Sequence, residues 1–287
     1  MWRAAFHVEM LNAAIERFRE PGTYELTSED DPQTDERVWY AEIKRDAPNT
    51  WAPVIGDLLH NLHSALDHVA WQLAVERNYG HDLPPGTRAT FPIFKNRGRF
   101  WKRDRKGTGW SAQSGAAALR RFAGDARRLV IEVQPYKDGN RAENHGLWLL
   151  HILSNEDKHK TLHVVRSAMV DSDLEVVELV NMRIDHFTPI GGPLRLGRRT
   201  EIGRAKVTAI DPAADAYCHL KPKFAIGEAF AEGTPLVAGR YVGEVFDLIL
   251  NAVRIEVFHE RFGPYFGISD WLGTMREIMG DALEYPM

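Results

Sequence analysis

Gly56-Asp57-Leu58-Leu59-His60-Asn61-Leu62-His63-Ser64-Ala65-Leu66-Asp67-His68-Val69-Ala70-Trp71 splits into two faces when wound at the helical period. Leu58, Leu59, Leu62, Ala65, Leu66, Val69, Ala70 and Leu73 form one continuous apolar face. Asp57, His60, Asn61, Ser64, Asp67, His68 and Trp71 form an opposite stripe about 120° wide. A helix that turns its far side to water ordinarily places Lys, Glu and Arg there, and this stripe has none. Short groups that donate, accept and titrate near neutral pH mark a site, not a solvated surface.

The helix carrying this stretch is predicted over 54–78 and stops at Asn78-Tyr79-Gly80. Upstream, 2–19 has a helical apolar stripe through Phe6, Met10, Leu11, Ala14, Ile15 and Phe18. Residues 23–46 read as a hairpin, with strands around Tyr24-Glu25-Leu26 and Val38 to Ile43. The acidic run between them, Glu29 to Glu36, reads as a solvated loop. Downstream, Pro84-Pro85-Gly86 opens an irregular segment containing Phe91-Pro92-Ile93-Phe94, and a modest helix is expected over 112–131.

A second long helix is expected over 141–163. Its Leu147, Leu149, Leu150, Ile152 and Leu153 surround most of the axis, which predicts burial. Trp148, His151, Asn155 and His159 nevertheless share one stripe, with Lys158 beside it. Buried polar groups are costly unless paired. The economical partner is the polar stripe of the 54–78 helix.

From 163 to 232 the texture turns to short strand-like runs, such as Leu174 to Val180 and Ala205 to Thr208. Arg195, Arg198, Arg199 and Arg204 make a basic patch there. Helical pattern returns at 241–262 and 268–282. The expected class is α+β, as one domain over 1–287. Four to five helices, from 2–19, 54–78, 141–163 and 241–262, form a bundle, with inserted short antiparallel strands making a small sheet.

With 287 residues and 44% hydrophobic content the chain can bury a substantial core. The net charge of −4 argues against wholesale coating of nucleic acid but permits local basic patches. One cysteine, Cys218, rules out an intramolecular disulfide and fits a reducing cytosol. The first residues lack the pattern of a signal peptide, and no apolar run approaches the ~18 residues of a membrane span. The expected location is cytoplasmic.

A basic loop at 95–110 holds Lys95, Arg97, Arg99, Lys102, Arg103, Arg105 and Lys106, interleaved with Phe100, Trp101 and Trp110. Cations among aromatics suit single-stranded RNA through phosphate contacts and base stacking. A mobile, solvated loop has the same composition. On the RNA reading, Arg99, Lys102, Arg103 and Trp101 are the binding residues, joined by Arg254 on the 241–262 helix.

Leu59-His60-Asn61-Leu62, Ser64-Ala65-Leu66-Asp67-His68 and, some ninety residues on, Asp157-Lys158-His159-Lys160 resemble a widespread bacterial family. Its members typically read LHNLRSALDHL and later DKHR, and the likeness carries no established function with it. The chain also resembles the HEPN superfamily, helical-bundle proteins that include metal-independent ribonucleases carrying Arg-x4–6-His on a helix. An Arg at position 63 would complete that motif at His68. Here position 63 is His, which lacks the planar, permanently charged fork that clamps phosphate. Arg254 to His259 repeats the same spacing on a later helix.

Three functional expectations compete. A HEPN-like ribonuclease would use His68 as general acid or base on a ribose 2′-hydroxyl, with Asp67 or Asn61 orienting it. Lys158 or Arg254 would stabilise the phosphorane, His60 and His159 would complete the candidate set, and dimerisation would bring two sites across a cleft. That expectation needs no cofactor and no membrane. The second is a metal-binding bundle similar to DinB-like proteins, built on His60 and His63 or on His159 and His163, with Asp67, Asp157 or His7 completing the set. The third is a non-catalytic helical protein whose polar stripes form a hydrogen-bond network that fixes register.

Overall fold

The computed structural model describes residues 22–45, 51–78 (with Ala13 and Pro48), 80–81, 83–158 and 164–267, giving the backbone alone over 164–174 and 221–226. The helices expected at 2–19 and 268–282 lie outside the described residues, as does His159. The chain is mixed α and β. It divides into two compact units, one drawn from 53–158 and 243–267 and the other from 22–45 and 164–242. The hairpin before the long helix therefore belongs with the β-rich segment that follows 163, whereas the sequence pattern suggests one domain over 1–287.

In the first unit α1 (Trp51–Arg77) carries the quoted stretch. All eight residues of its apolar face are buried, and Leu58, Leu59, Leu62, Leu66 and Leu73 are fully so. Each such leucine contributes about 1.5–3 kcal/mol relative to an exposed one. Two short helices follow, α2 (Arg97–Phe100) and α3 (Gly115–Leu119), then α4 (Gly124–Glu132). The continuous helix expected over 112–131 is split because Ala123 is extended, and Arg127 Nε instead donates to the Phe122 carbonyl at 2.8 Å.

The second long helix, α5 (Gly146–Asp157), starts later than its periodicity suggests. Gly139 sits at φ +57°, which interrupts the helical path. His145 then caps the new start, its Nδ1 accepting from the Leu147 N–H at 3.1 Å. Gly146 lies against the next long helix, α6 (Val242–Leu250), and a Cβ there would overlap the Leu248 carbonyl. The chain continues from α6 in wider π-helical turns over Asn251–Phe262. No helix among the described residues is long and apolar enough to cross a membrane.

The second unit holds two antiparallel sheets. One has four strands in the order β1 (Tyr24–Asp31), β2 (Glu36–Ile43), β6 (Arg199–Ala209), β4 (Met182–Pro189). The other sets β3 (Val164–Val180) between β5 (Gly192–Pro193) and β7 (Tyr217–Phe230). Trp39, Ala41, Ile43, Ile202 and Leu220 form their shared core, and Phe187 meets Trp39 edge to face at 6.1 Å.

Half of the acidic run expected as a solvated loop is strand, Glu29 to Asp31 ending β1 and Glu36 opening β2. Residues 32–35 turn, with Asp35 at φ +57°. Three of its five carboxylates are matched by cations: Arg37 pairs with Asp30 at 2.7 Å, Arg199 with Glu29 at 2.9 Å and Arg204 with Glu36 at 3.0 Å. Two members of the basic patch at 195–204 are thus spent within the sheet.

Candidate functional site

The polar stripes of α1 and α5 meet, and the two helices run antiparallel. At one end the Asp157 carboxylate lies over Gly56, with both oxygens 2.7 Å from where a Cβ would stand. At the other end the imidazoles of His63 and His151 sit 6.5 Å apart, tilted by 31°. Glycine at 56 permits the close approach that brings the seams together.

The segment expected to be irregular supplies one wall. Residues 90–96 run beside the seam and close a groove of about 780 Å³ with His63, Arg99, Trp148, His151, Asn155 and Lys158. Buried Gln134 holds this wall from behind. Its Nε2 donates to the Pro92 carbonyl at 2.7 Å, and its Oε1 accepts from the Phe94 N–H at 3.1 Å. Asp67 holds it from the front, with Oδ1 accepting from the Phe91 N–H at 2.9 Å. The other oxygen of the same carboxylate lies 3.6 Å from His63 Nδ1. One aspartate therefore bonds the wall and stands beside the ring.

His151 is held differently. Its ring stacks on Trp148 at 5.2 Å, and Asn155 Nδ2 lies 3.2 Å from its Nε2. Burial holds its pKa below the ordinary histidine value, and the nearby His63 and Lys158 act in the same direction. A neutral ring can accept from the Asn155 amide, so burial and hydrogen bonding favour the same protonation state. Asp157 is pushed above the usual carboxylate range by burial and by Asp57, with His60 opposing. Lys95 pairs with Glu143 and stands 5.3 Å over the Trp148 ring. Lys158 and Arg99 add two further cations to the lining.

The residues singled out from sequence separate into three groups. Asp67, Lys158 and Arg99 are at the groove. His60 is exposed beside Asp157, Asn61 is half-buried and does not line the groove, and Arg254 is half-buried on the 251–262 turns, also outside the lining. His68, expected to do acid–base work, is exposed and likewise outside the lining, which includes His63. His151, Asn155 and Trp148 are legible in the sequence as a stripe but not as a site, and Lys95 only as a loop cation. Among the described residues no three His, Cys, Asp or Glu side chains converge as a metal-binding set.

Lys102 and Arg103 are exposed on a hydrogen-bonded turn. The Lys102 carbonyl accepts from the Ser111 N–H at 2.9 Å, and Asp104 closes the turn by accepting from the Thr108 N–H at 3.1 Å. Half-buried Trp101 packs 5.0 Å from Phe100 and 5.5 Å from Trp110.

The arrangement offers two imidazoles in unlike settings, cations for an anionic group and aromatic walls for planar rings. No family model, curated protein or solved structure matches this chain.

Proposed function

We propose that the groove binds single-stranded RNA and cleaves its phosphodiester backbone without a metal, using His63 and His151 as an acid–base pair. The observation that carries this is the pair itself, two rings 6.5 Å apart within a cationic, aromatic-walled groove. A phosphate seated between the rings would meet each of them through one hydrogen bond of about 2.8 Å.

His151, held neutral, takes the proton of the ribose 2′-hydroxyl, which displaces the Asn155 amide at Nε2. The freed O2′ attacks phosphorus and the P–O5′ bond breaks. His63 gives a proton to the departing O5′, and the Asp67 carboxylate compensates the imidazolium before transfer. The products are a 2′,3′-cyclic phosphate and a 5′-hydroxyl. Lys158 and Arg99 neutralise charge gathering on the phosphorane. The helical unit acts as a bundle that keeps α1 and α5 in register. The resemblance to HEPN ribonucleases agrees with this chemistry, though the residues differ, since the Arg-x4-His spacing would end at exposed His68.

A second reading has its own support. Asp67 satisfying Phe91, and Asn155 satisfying His151, are what a purely structural seam would also contain. The two readings separate on one experiment. A 12-nucleotide single-stranded RNA and its DNA counterpart are incubated with the protein in excess EDTA. Cleavage of the RNA alone, leaving cyclic-phosphate ends, supports the proposal; two intact strands support the structural seam.

A further inference from the structure

Residues 95–111 hold seven Lys and Arg against one carboxylate, Asp104, in a chain whose net charge is −4. By contrast, Arg37, Arg199 and Arg204 are consumed by the carboxylates of β1 and β2. Arg97, Arg99, Lys102, Arg103, Arg105 and Lys106 are all exposed and form no ion pair among the described residues. Asp104, the one acid within this segment, is committed to the turn, where it accepts from Thr108 through its backbone N–H and its hydroxyl.

Such a concentration of unpaired charge repels itself, so the fold must hold it in place. Two devices do so. At its base, Phe100 is fully buried against Phe94, Trp101 and Tyr136, with Gly115 leaving room for the ring. At its outer end the backbone closes a small antiparallel turn, Arg103 opposite Trp110, with Gly107 at φ +69°. The Arg103 guanidinium stacks on the Trp110 ring, Cζ 3.9 Å from the centroid, which fixes a planar cation at the surface. Asn96 caps α2 by accepting from the Arg99 N–H at 2.9 Å and so joins the turn to the groove, which Asn96 and Arg99 both line.

We infer that residues 97–111 form a preformed cationic arm that grips the backbone of single-stranded RNA beyond the groove, so that the ligand is a strand of several nucleotides and not a mono- or dinucleotide. The inference rests on the groove's being an RNA site. It divides labour within that site: the groove holds the reacting phosphate, and the arm supplies affinity through flanking phosphates. An arm braced by these contacts would lose less conformational entropy on meeting the strand than an unbraced loop.

The test uses the full chain and labelled 2′-O-methyl RNA, which binds but cannot be cleaved, as a trimer and a 12-mer across a salt series. The variant is Lys102→Ala with Arg103→Ala and Lys106→Ala, its fold checked by circular dichroism. Arg195→Ala with Arg198→Ala serves as a control for net charge. Removing three cations that each neutralise a phosphate should lower the slope of log affinity against log salt by about 2, and 12-mer affinity by about tenfold or more. Trimer binding should change less than about twofold, and the control variant should bind both strands as the parent does. A 12-mer affinity and slope unaltered by the arm substitutions would overturn the inference. So would equal losses for trimer and 12-mer, or arm-dependent binding to phosphatidylserine vesicles by a protein that ignores RNA. Because the probe is uncleavable, an inactive protein that still shows arm-dependent 12-mer binding defeats the cleavage proposal and leaves the arm standing.

Discussion

His63 and His151 face each other across the seam of two antiparallel helices, and unlike neighbours hold them: a carboxylate beside His63, an amide and an indole around His151. Burial and nearby positive charge keep the second ring neutral. The folded pKa of His151 therefore lies below its unfolded value, near 6.5. Between those values the unfolded chain binds more protons, so stability is lost as pH falls through the window. The loss begins near pH 6.5 and ends below the folded pKa. Urea midpoints of the parent and of His151→Gln, measured from pH 8 to 5, should show a shallower decline for the variant. Parallel declines would show that the ring is not held neutral.

Asp67 does two jobs that substitution can separate. Asp67→Ala leaves the Phe91 N–H without its acceptor and should cost about 1–3 kcal/mol in urea unfolding. Asp67→Asn keeps an oxygen for that N–H, so it should retain most of the stability while losing the charge beside His63. Its cleavage rate should then fall by at least about tenfold with little change in RNA affinity. An Asn variant with full activity would confine Asp67 to holding the wall.

The approach of Asp157 to Gly56 gives a double-mutant cycle. Alanine at a helix-interior glycine is ordinarily worth about 0.5–1 kcal/mol. In the parent that gain should vanish or reverse, because the new Cβ meets the carboxylate at 2.7 Å. With Asp157→Ala in place the gain should reappear. A coupling energy of about 0.5 kcal/mol or more is expected, and strictly additive values would contradict the close seam.

Much of this is legible in the sequence, and the failures have physical causes. The burial of α1 follows from leucines at helical spacing, and all eight expected residues are buried. The facing of the two stripes follows from the cost of leaving His151 and Asn155 unpaired inside a leucine-rich helix. Periodicity does not say which edge of a stripe meets the neighbour. His63 and His68 stand about 140° apart on the helix, and Asp67 only about 40° from His63. Tertiary packing chose the His63 edge. The wall at 90–96 has no period to read, because its place is set by Asp67 and Gln134, 24 and 42 residues distant from their partners. The ends of the acidic run at 29–36 read wrongly as loop for a related reason: Arg199 and Arg204, which pair with Glu29 and Glu36, come some 170 residues later.

The most direct test of the central claim compares four proteins, the parent, His63→Ala, His151→Ala and His68→Ala, in single-turnover cleavage of one single-stranded RNA in excess EDTA. The parent should cleave. His63→Ala and His151→Ala should each be slower by about 10²–10⁴-fold, and His68→Ala should stay within about twofold of the parent. An intact RNA with the parent, or cleavage that survives loss of His63 and His151, would contradict the account.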